Sequence, residues 1–257
     1  MEPPVPAPVV EQLPRNMTDE TLVLARLPGA RRVVNHRVAD DLAAMRLESA
    51  LPIRRFYSWK GKRNYEGRWW SSTTRTQIEF ESLLERDALM IADFDAEVVA
   101  ISAQPFALLW PRTTKGSKYH VPDFFLRLAS GDGRVVDVKH PGAVANSAKQ
   151  FALTRDTCSE IGWEYEIFTG IDTPHRRNVR WLSGYRHDRF SPPDSVITHI
   201  VDVFGEPTPL GVGVSRAAKA LGSTEPAALA NIYHLMWRRL LHADLSVSLR
   251  METEVSA

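Results

Sequence analysis

The stretch YHVPDFFLRLASGDGRVVDVK, residues 119–139, determines the predicted fold at the centre of this chain. Two short apolar runs, at 124–128 and 134–139, stand on either side of the sequence SGDG at 130–133. Glycine and aspartate tolerate the positive φ angles of tight hairpin turns. The stretch therefore predicts two antiparallel strands joined by a turn.

Three charged residues occupy this hairpin at positions where they could act together. Asp123 begins the first strand, and Asp137 and Lys139 lie two apart on the second, so that their side chains leave the same face. Asp137 stands within an apolar run, where a charge costs free energy unless it is paired or metal-bound. Two interpretations remain open: a divalent cation held by the carboxylates, or a salt bridge between Asp137 and Lys139.

The composition is that of a globular protein, with 44% hydrophobic and 25% charged residues among 257. The formal net charge is only +1, so attraction to nucleic acid must come from local patches. The single cysteine, Cys158, excludes an internal disulfide framework and favours a reducing, cytoplasmic location. We expect no membrane span and no secretory signal, because no run has the required length and apolar character.

The distribution of proline predicts how the chain divides into domains. Residues 1–17 are rich in proline and are expected to form a disordered tail. The sequence SPPD at 191–194 is typical of a domain boundary, which predicts one domain at 18–190 and another at 191–257.

Helical and strand patterns alternate in the domain predicted at 18–190. They predict a helix at 77–93, a helix at 143–161 and a strand at 163–169, in addition to the hairpin. Residues 94–110 are expected to form a turn and then a strand, whose apolar parts at 98–101 and 106–110 are broken by Gln104-Pro105. Gly162 is expected to end the second helix. This order predicts an α/β fold with a mixed β-sheet flanked by helices.

Three helical patterns and then an alternating apolar pattern follow the boundary, at 195–204, 215–221, 225–242 and 245–251. Helix, turn, helix and β-ribbon is the order of a winged-helix domain. The third helix carries few groups that read bases or bind phosphates, which favours a protein contact or a structural role over DNA reading.

Two basic segments, 54–75 and 175–190, are candidates for DNA contact. The first interleaves arginine and lysine with tyrosine and tryptophan, a composition that suits phosphate contact and stacking. The alternative for the first segment is a solvated loop and strand whose tryptophans enter the core, and the alternative for the second is a solvated charged face. The candidate phosphate-binding residues are Arg63, Arg68, Arg75, Lys118, Arg176 and Arg177.

The order of the charged residues is that of a known superfamily. A helical carboxylate at Glu85, then Pro122-Asp123, then Asp137-x-Lys139 is the order of the PD-(D/E)xK nucleases. Over about residues 75–169 the chain further resembles the TnsA-type endonuclease subunit of heteromeric bacterial transposases. The segments that carry this resemblance are SLLERD, FDAEVV, QPF, VPDFF, VDVK and GWEYEIFT, which begin at 82, 94, 104, 121, 136 and 162.

The resemblance implies a restriction-endonuclease-like core and a small winged-helix-like C-terminal domain. It implies Mg²⁺, with Mn²⁺ as a substitute, held by Glu85, Asp123 and Asp137, with Lys139 as the catalytic lysine. Such a subunit cleaves the 5′ strands of double-stranded DNA at transposon ends, beside a TnsB-like DDE recombinase that cleaves the 3′ strands. Its C-terminal domain contacts a TnsC-like ATPase regulator.

Some of these assignments have alternatives. Glu81 lies one helical turn before Glu85 on the same predicted strip and competes with it as the helical carboxylate. Gln104, in the QPF segment, is expected to be structural or to lie near the site. The alternative functions are a stand-alone restriction- or repair-type nuclease and a non-catalytic module that binds DNA or partner proteins on a nuclease fold.

Overall fold

The computed structural model of the chain describes residues 20–29, 34–38, 42–54, 65–115 and 118–257. The predicted N-terminal tail at 1–17 and the candidate DNA contact Arg63 lie outside the described residues. The chain divides into two compact units. The first unit comprises the described residues up to Ala92 together with Glu97–Gly170, and the second comprises Asp93–Ala96 together with Ile171–Ala257.

The described part of the first unit contains ten strands and two α-helices. They are β1 Leu22–Ala25, β2 Val34–Arg37, β3 Gly67–Ser71, β4 Thr76–Phe80, α1 Leu83–Phe94, β5 Val98–Ala103, β6 Phe106–Leu109, β7 Tyr119–His120, β8 Phe124–Leu128, β9 Gly133–Val138, α2 Ala148–Ile161 and β10 Glu164–Phe168. Across the described ranges of the whole chain, the helices are all too short or too polar to cross a lipid bilayer.

Two four-stranded sheets organise the first unit. One has the strand order β10-β9-β8-β5, in which β9 and β10 are parallel and the other pairs are antiparallel. Its parallel pair is joined through α2, as parallel strands require a crossover. The other sheet has the order β2-β1-β6-β7 and is antiparallel throughout. The prediction of an α/β fold with a mixed sheet and flanking helices is confirmed.

The central hairpin forms as the sequence predicted. β8 and β9 pair antiparallel, and Gly131 in the turn between them takes a φ of 95°. Phe124 opposes Val136, so the register brings Asp123 opposite Asp137 across the two strands. The hairpin therefore places both acidic residues at the same end of the sheet.

The helix predicted at 77–93 is wrong in its first part. Residues Thr76–Phe80 form β4, and α1 begins only after Ser82. The apolar residues of β4 alternate, are buried and pair with β3, and this pairing outweighs the helical spacing that the same residues also show. The Oγ of Ser82 accepts the N–H of Glu85 at 3.1 Å, which caps the helix at its true start.

The other elements predicted in this unit are present, but one of them is divided and the bounds are shifted. The single strand expected after the turn at 94–110 is instead two strands, β5 and β6, which belong to different sheets and separate at Gln104-Pro105. The helix expected from 143 begins at Ala148, after two short 3-10 turns. Gly162 ends it with a φ of 91°, as predicted.

The second unit is mostly helical. Its elements are α3 Thr173–Leu182, α4 Asp194–Val203, β11 Thr208–Pro209, α5 Leu210–Leu221, α6 Glu225–Trp237 and β12 Glu254–Val255. The three helices predicted after the boundary are present as α4, α5 and α6. Because α3 also belongs to this unit, the unit begins at Ile171, whereas the predicted boundary lies at Ser191.

The β-ribbon predicted at 245–251 is wrong, because these residues, all of them described, form no strand. The side chain of Asn178 in α3 binds the segment instead. Its amide nitrogen donates to the carbonyls of Leu245 and Val247 at 2.8 and 2.6 Å, and its oxygen accepts the N–H of Leu249 at 3.1 Å. These bonds satisfy the backbone without a partner strand, and the ribbon of this unit is formed by β11 and β12.

The central hairpin supplies a test of the packing. Gly133 lies under two aromatic rings, and a Cβ there would be 2.6 Å from Phe125 Cζ and 2.8 Å from Trp163 Cδ1. Overpacking a core costs about 1–3 kcal/mol, so we expect Gly133→Ala to lower the free energy of unfolding by that amount in urea titrations. The control is Gly142→Ala, where the nearest atom would be 3.6 Å away. Equal stability of the two variants would contradict this packing.

Candidate functional site

Asp123 is the centre of the candidate site. It stands half-buried before β8, and its Oδ2 accepts the N–H of Val138 at 2.7 Å. The pKa of Asp123 lies well above its usual range because burial disfavours the charged form and the negative charges of Glu85 and Asp137 add to that effect. The three carboxylates therefore share one electrostatic environment.

Glu85 is held in the first turn of α1 by hydrogen bonds. Its Oε2 accepts the N–H of Glu81 at 2.6 Å, and its Oε1 accepts the hydroxyl of Ser82 at 2.9 Å. Burial raises the pKa of Glu85, and these two hydrogen bonds oppose that rise. The carboxylate of Glu81, its rival, instead binds Nη2 of Arg54 at 2.7 Å. Glu85 is thus the helical carboxylate whose charge acts on Asp123.

Asp137 is almost fully buried on β9, and its partners differ from the one considered in the sequence. Nε2 of His120 lies 2.8 Å from each of its oxygens, and the hydroxyl of Tyr165 donates to Oδ2 at 2.5 Å. The salt bridge to Lys139 is therefore not the interaction that compensates the buried charge. His120 and Tyr165 together supply that compensation.

Lys139 directly follows β9. Its backbone N–H donates to the carbonyl of Phe168 at 2.9 Å, which continues the parallel pairing with β10. Its side chain is half-buried, and its ammonium forms no ion pair with any residue of the described ranges. At the end of the strand that carries Asp137 there is thus a positive charge that no carboxylate of the described residues pairs with.

Gln104 lies beside the site, between β5 and β6. Its backbone N–H donates to the carbonyl of Asp123 at 2.8 Å, and its side-chain oxygen accepts Nε of Arg54 at 2.9 Å. The positive charge of Arg54 lowers the pKa of Glu85 and of Asp123, although less strongly than burial raises it. A cation therefore lies close enough to Glu85 and Asp123 to act on both carboxylates.

The candidate DNA contacts that the structure describes belong to several different elements of the two units. Arg68 lies on β3, exposed and paired with Glu79 at 3.2 Å, and Arg75 lies in the turn that follows. Lys118 precedes β7. The remaining described candidates, on α3 of the second unit, are Arg176 and Arg177.

The side chains of the site offer oxygen ligands to a divalent cation. Among the described residues, no three His, Cys, Asp or Glu side chains converge as a ready-made metal site. The oxygens nevertheless suit a hard cation, because Oδ1 of Asp123 has no hydrogen bond to a described residue and each carboxylate oxygen has two acceptor positions. A carboxylate whose charged form is disfavoured by burial and by neighbouring negative charges, as at Asp123, is relieved by a cation. Glu85, Asp123 and Asp137 thus fit Mg²⁺ by type and charge.

Three residues of this site were not assigned to it from the sequence: His120, Tyr165 and Arg54. His120 stands three positions before Asp123, so its closeness in sequence to Pro122-Asp123 is a local signal that could have pointed to it. Tyr165 is brought to Asp137 by the parallel pairing of β9 and β10, and the position of Arg54 depends on Gln104. Neither of these contacts has a local sequence signal.

No protein-family model matches this chain, and no curated protein matches it either. The function of the chain must therefore follow from its α/β fold, its acidic site and the sequence motifs of residues 75–169.

The raised pKa of Asp123 predicts that Asp123→Asn stabilises the fold by an amount that depends on pH. Between its unfolded pKa of about 4 and its higher folded pKa, the folded state binds the additional proton, so stability falls as pH rises through this window and stays lower above it. Asparagine cannot ionise, and its carbonyl can still accept the Val138 N–H. We expect the variant to be more stable than wild type at neutral pH and to lose this advantage towards about pH 4 in urea titrations.

The matched control for this measurement is Asp132→Asn, in the exposed turn of the same hairpin, where no gain is expected. An Asp123→Asn protein that is less stable than wild type at neutral pH would contradict the electrostatic description of the site.

The hydroxyl of Tyr165 predicts a second stability effect. Tyr165→Phe removes a hydrogen bond to a buried charge, and such bonds contribute about 1.5–3 kcal/mol. We expect the free energy of unfolding to fall by that amount, measured by chemical denaturation at neutral pH. Tyr65→Phe is the control, since Tyr65 is 70% exposed and should be insensitive. A Tyr165→Phe variant with the same free energy of unfolding as wild type would show that His120 alone compensates the charge of Asp137.

Proposed function

We propose that this chain is a metal-dependent DNA endonuclease, the subunit of a heteromeric transposase that cleaves the 5′ strands at transposon ends by phosphodiester hydrolysis. The observation that carries the proposal is the group of three carboxylates whose charges act together at Asp123. Two of them, Asp123 and Asp137, face each other across the central hairpin, and Glu85 comes from the start of α1. This combination of hairpin and helix supports a restriction-endonuclease-like core.

Phosphodiester hydrolysis needs an activated water and neutralisation of the charge that builds on the phosphate. Mg²⁺ or Mn²⁺, when bound, would supply both. Glu85, Asp123 and Asp137 would hold the ion, and the hydrogen bonds to Ser82 and Tyr165 would keep two of these carboxylates oriented. The ammonium of Lys139, which has no ion-pair partner in the described ranges, is available to stabilise the phosphate or to orient the water.

The assignment to a transposase rests on the resemblance of residues 75–169 and on the character of the second unit. We assign this unit to the winged-helix-like class, with α4–α6 and the ribbon of β11 and β12 as its elements. Its third helix, α6, buries most of its C-terminal half, from Ile232 to Trp237, and so has little surface to place in a groove of DNA. That supports a contact with a TnsC-like regulator rather than base reading.

One observation favours a second candidate, a non-catalytic module on a nuclease fold. Asp137 already has His120 and Tyr165 as partners, and a carboxylate that is structurally compensated has no need of a metal. The two candidates differ in whether the acidic residues are required for cleavage or only for folding.

The test is nicking of a DNA that carries the element's end, with Mg²⁺, with and without the co-encoded recombinase. We expect cleavage of the 5′ strands that needs the recombinase, and a loss of at least about 100-fold in Asp123→Asn and in Lys139→Met. Asp132→Asn and Lys149→Met, both exposed positions, are the matched controls and should cleave like wild type.

The other outcomes of this nicking assay would each indicate a different function. Cleavage without the recombinase that still needs Asp123 and Lys139 would indicate a stand-alone nuclease. A folded chain that binds the recombinase and DNA but never nicks would indicate the non-catalytic module. Cleavage that survives both substitutions would place the active site elsewhere.

A further inference from the structure

Arg54 is held against the acidic site by two side chains. Its Nε donates to Gln104 Oε1 at 2.9 Å and its Nη2 donates to Glu81 Oε2 at 2.7 Å. Within the described ranges Nη1 has no hydrogen-bond partner, and about a third of the side chain is exposed. The guanidinium is therefore fixed along one edge and open along the other.

The backbone of Gln104 is strained in the position that holds Arg54. Gln104 is buried and has a φ of 47°, in the left-handed region that non-glycine residues rarely adopt. Such a conformation persists only where surrounding bonds hold it, and it occurs preferentially at functional sites. Here the bonds run to both sides of the site: the N–H of Gln104 donates to the Asp123 carbonyl, and its own carbonyl accepts the N–H of Ile53, each at 2.8 Å.

A cation in this position opposes metal binding but favours an anionic substrate. A fixed positive charge beside carboxylates competes with a divalent ion for them, so a site built only to hold metal gains nothing from it. A site that must also hold a phosphodiester does gain, because the guanidinium fork matches the geometry of phosphate oxygens. The open Nη1 edge is the part of Arg54 that remains for such a contact.

We propose that Arg54 is a phosphate-binding residue of this site, which contacts the phosphodiester to be cleaved through Nη1 while Gln104 and Glu81 hold the guanidinium in place. The inference rests on the proposed function and extends it, because it names a substrate contact outside the four residues of the nuclease motif. It also gives the strained backbone of Gln104 a role, which is to aim Arg54.

The first test compares three measurements on Arg54→Gln in the full-length chain. Nicking of the element's end at saturating Mg²⁺ should fall about 100-fold. Binding of Mn²⁺ to the DNA-free protein, followed by electron paramagnetic resonance, should be unchanged or tighter, because a competing charge is removed. The slope of log affinity for DNA against log salt, measured in Ca²⁺, should become shallower by about 1.

The matched control is Arg134→Gln. Arg134 is also a half-buried arginine in an ion pair, with Glu164 at 2.6 Å, but it lies at the opposite end of β9 from Asp137. All three measurements should remain at their wild-type values in this variant.

A second variant keeps the proposal falsifiable if Arg54→Gln fails to fold. Gln104→Asn retains the amide and favours positive φ, but is one methylene too short to reach Arg54 in its present position. It should still fold, because the left-handed backbone is kept, and it should nick more slowly. In the double variant with Arg54→Gln the loss should not exceed that of Arg54→Gln alone, because both act through one contact.

The outcomes separate this inference from the proposed function. Wild-type nicking that persists in Arg54→Gln with an unchanged salt slope would overturn the role of Arg54 and leave the nuclease intact. Slower nicking with weaker Mn²⁺ binding would also overturn it, because Arg54 would then support the metal site. If the wild type does not nick at all, the proposed function fails, and the salt slope alone decides the phosphate contact: a shallower slope supports it and an unchanged slope overturns it.

Discussion

Repulsion between partly buried carboxylates at Asp123 is the constraint around which the first unit is built. Asp123 meets the charges of Glu85 and Asp137, and each of the three is held in place by hydrogen bonds from the surrounding chain. At neutral pH the fold would be more stable if Asp123 carried no charge, because burial and the charges of Glu85 and Asp137 disfavour its ionised form. That a chain keeps such a cluster, with Arg54 and Lys139 nearby, is consistent with a site that binds a cation and an anion together.

The hairpin at this site could be predicted because its information is local. The turn chemistry at 130–133 and the apolar runs beside it define both strands, and the pairing then places Asp123 opposite Asp137. The presence of a charge within an apolar run correctly indicated that Asp137 needs compensation. It did not identify the partners, because His120 and Tyr165 reach Asp137 only through the folded arrangement of β7, β9 and β10.

The predictions that were wrong also failed because contacts between distant segments are not visible in the sequence. The sequence at 76–80 has helical spacing, yet it pairs with β3, and the alternating residues at 245–251 are bound by Asn178, which precedes them by about seventy positions. Gln104 was expected near the site, but nothing in a sequence indicates that a glutamine will adopt positive φ. Local patterns identified most elements, and contacts between distant segments determined which pattern was realised and which side chains meet.

The parallel pairing of β9 with β10 has a consequence for the order in which the site is completed. The hairpin can close as soon as residue 138 has been synthesised, but Tyr165 reaches Asp137 only after α2 has folded across and β10 has docked. Parallel pairing of this kind forms late, because a long connection must be ordered first. A nascent or locally opened chain therefore carries Asp137 without the hydroxyl of Tyr165, although His120 has already been made. Asp137 receives its last partner only when β9 and β10 have paired, so its full set of contacts belongs to the finished sheet and not to the hairpin alone.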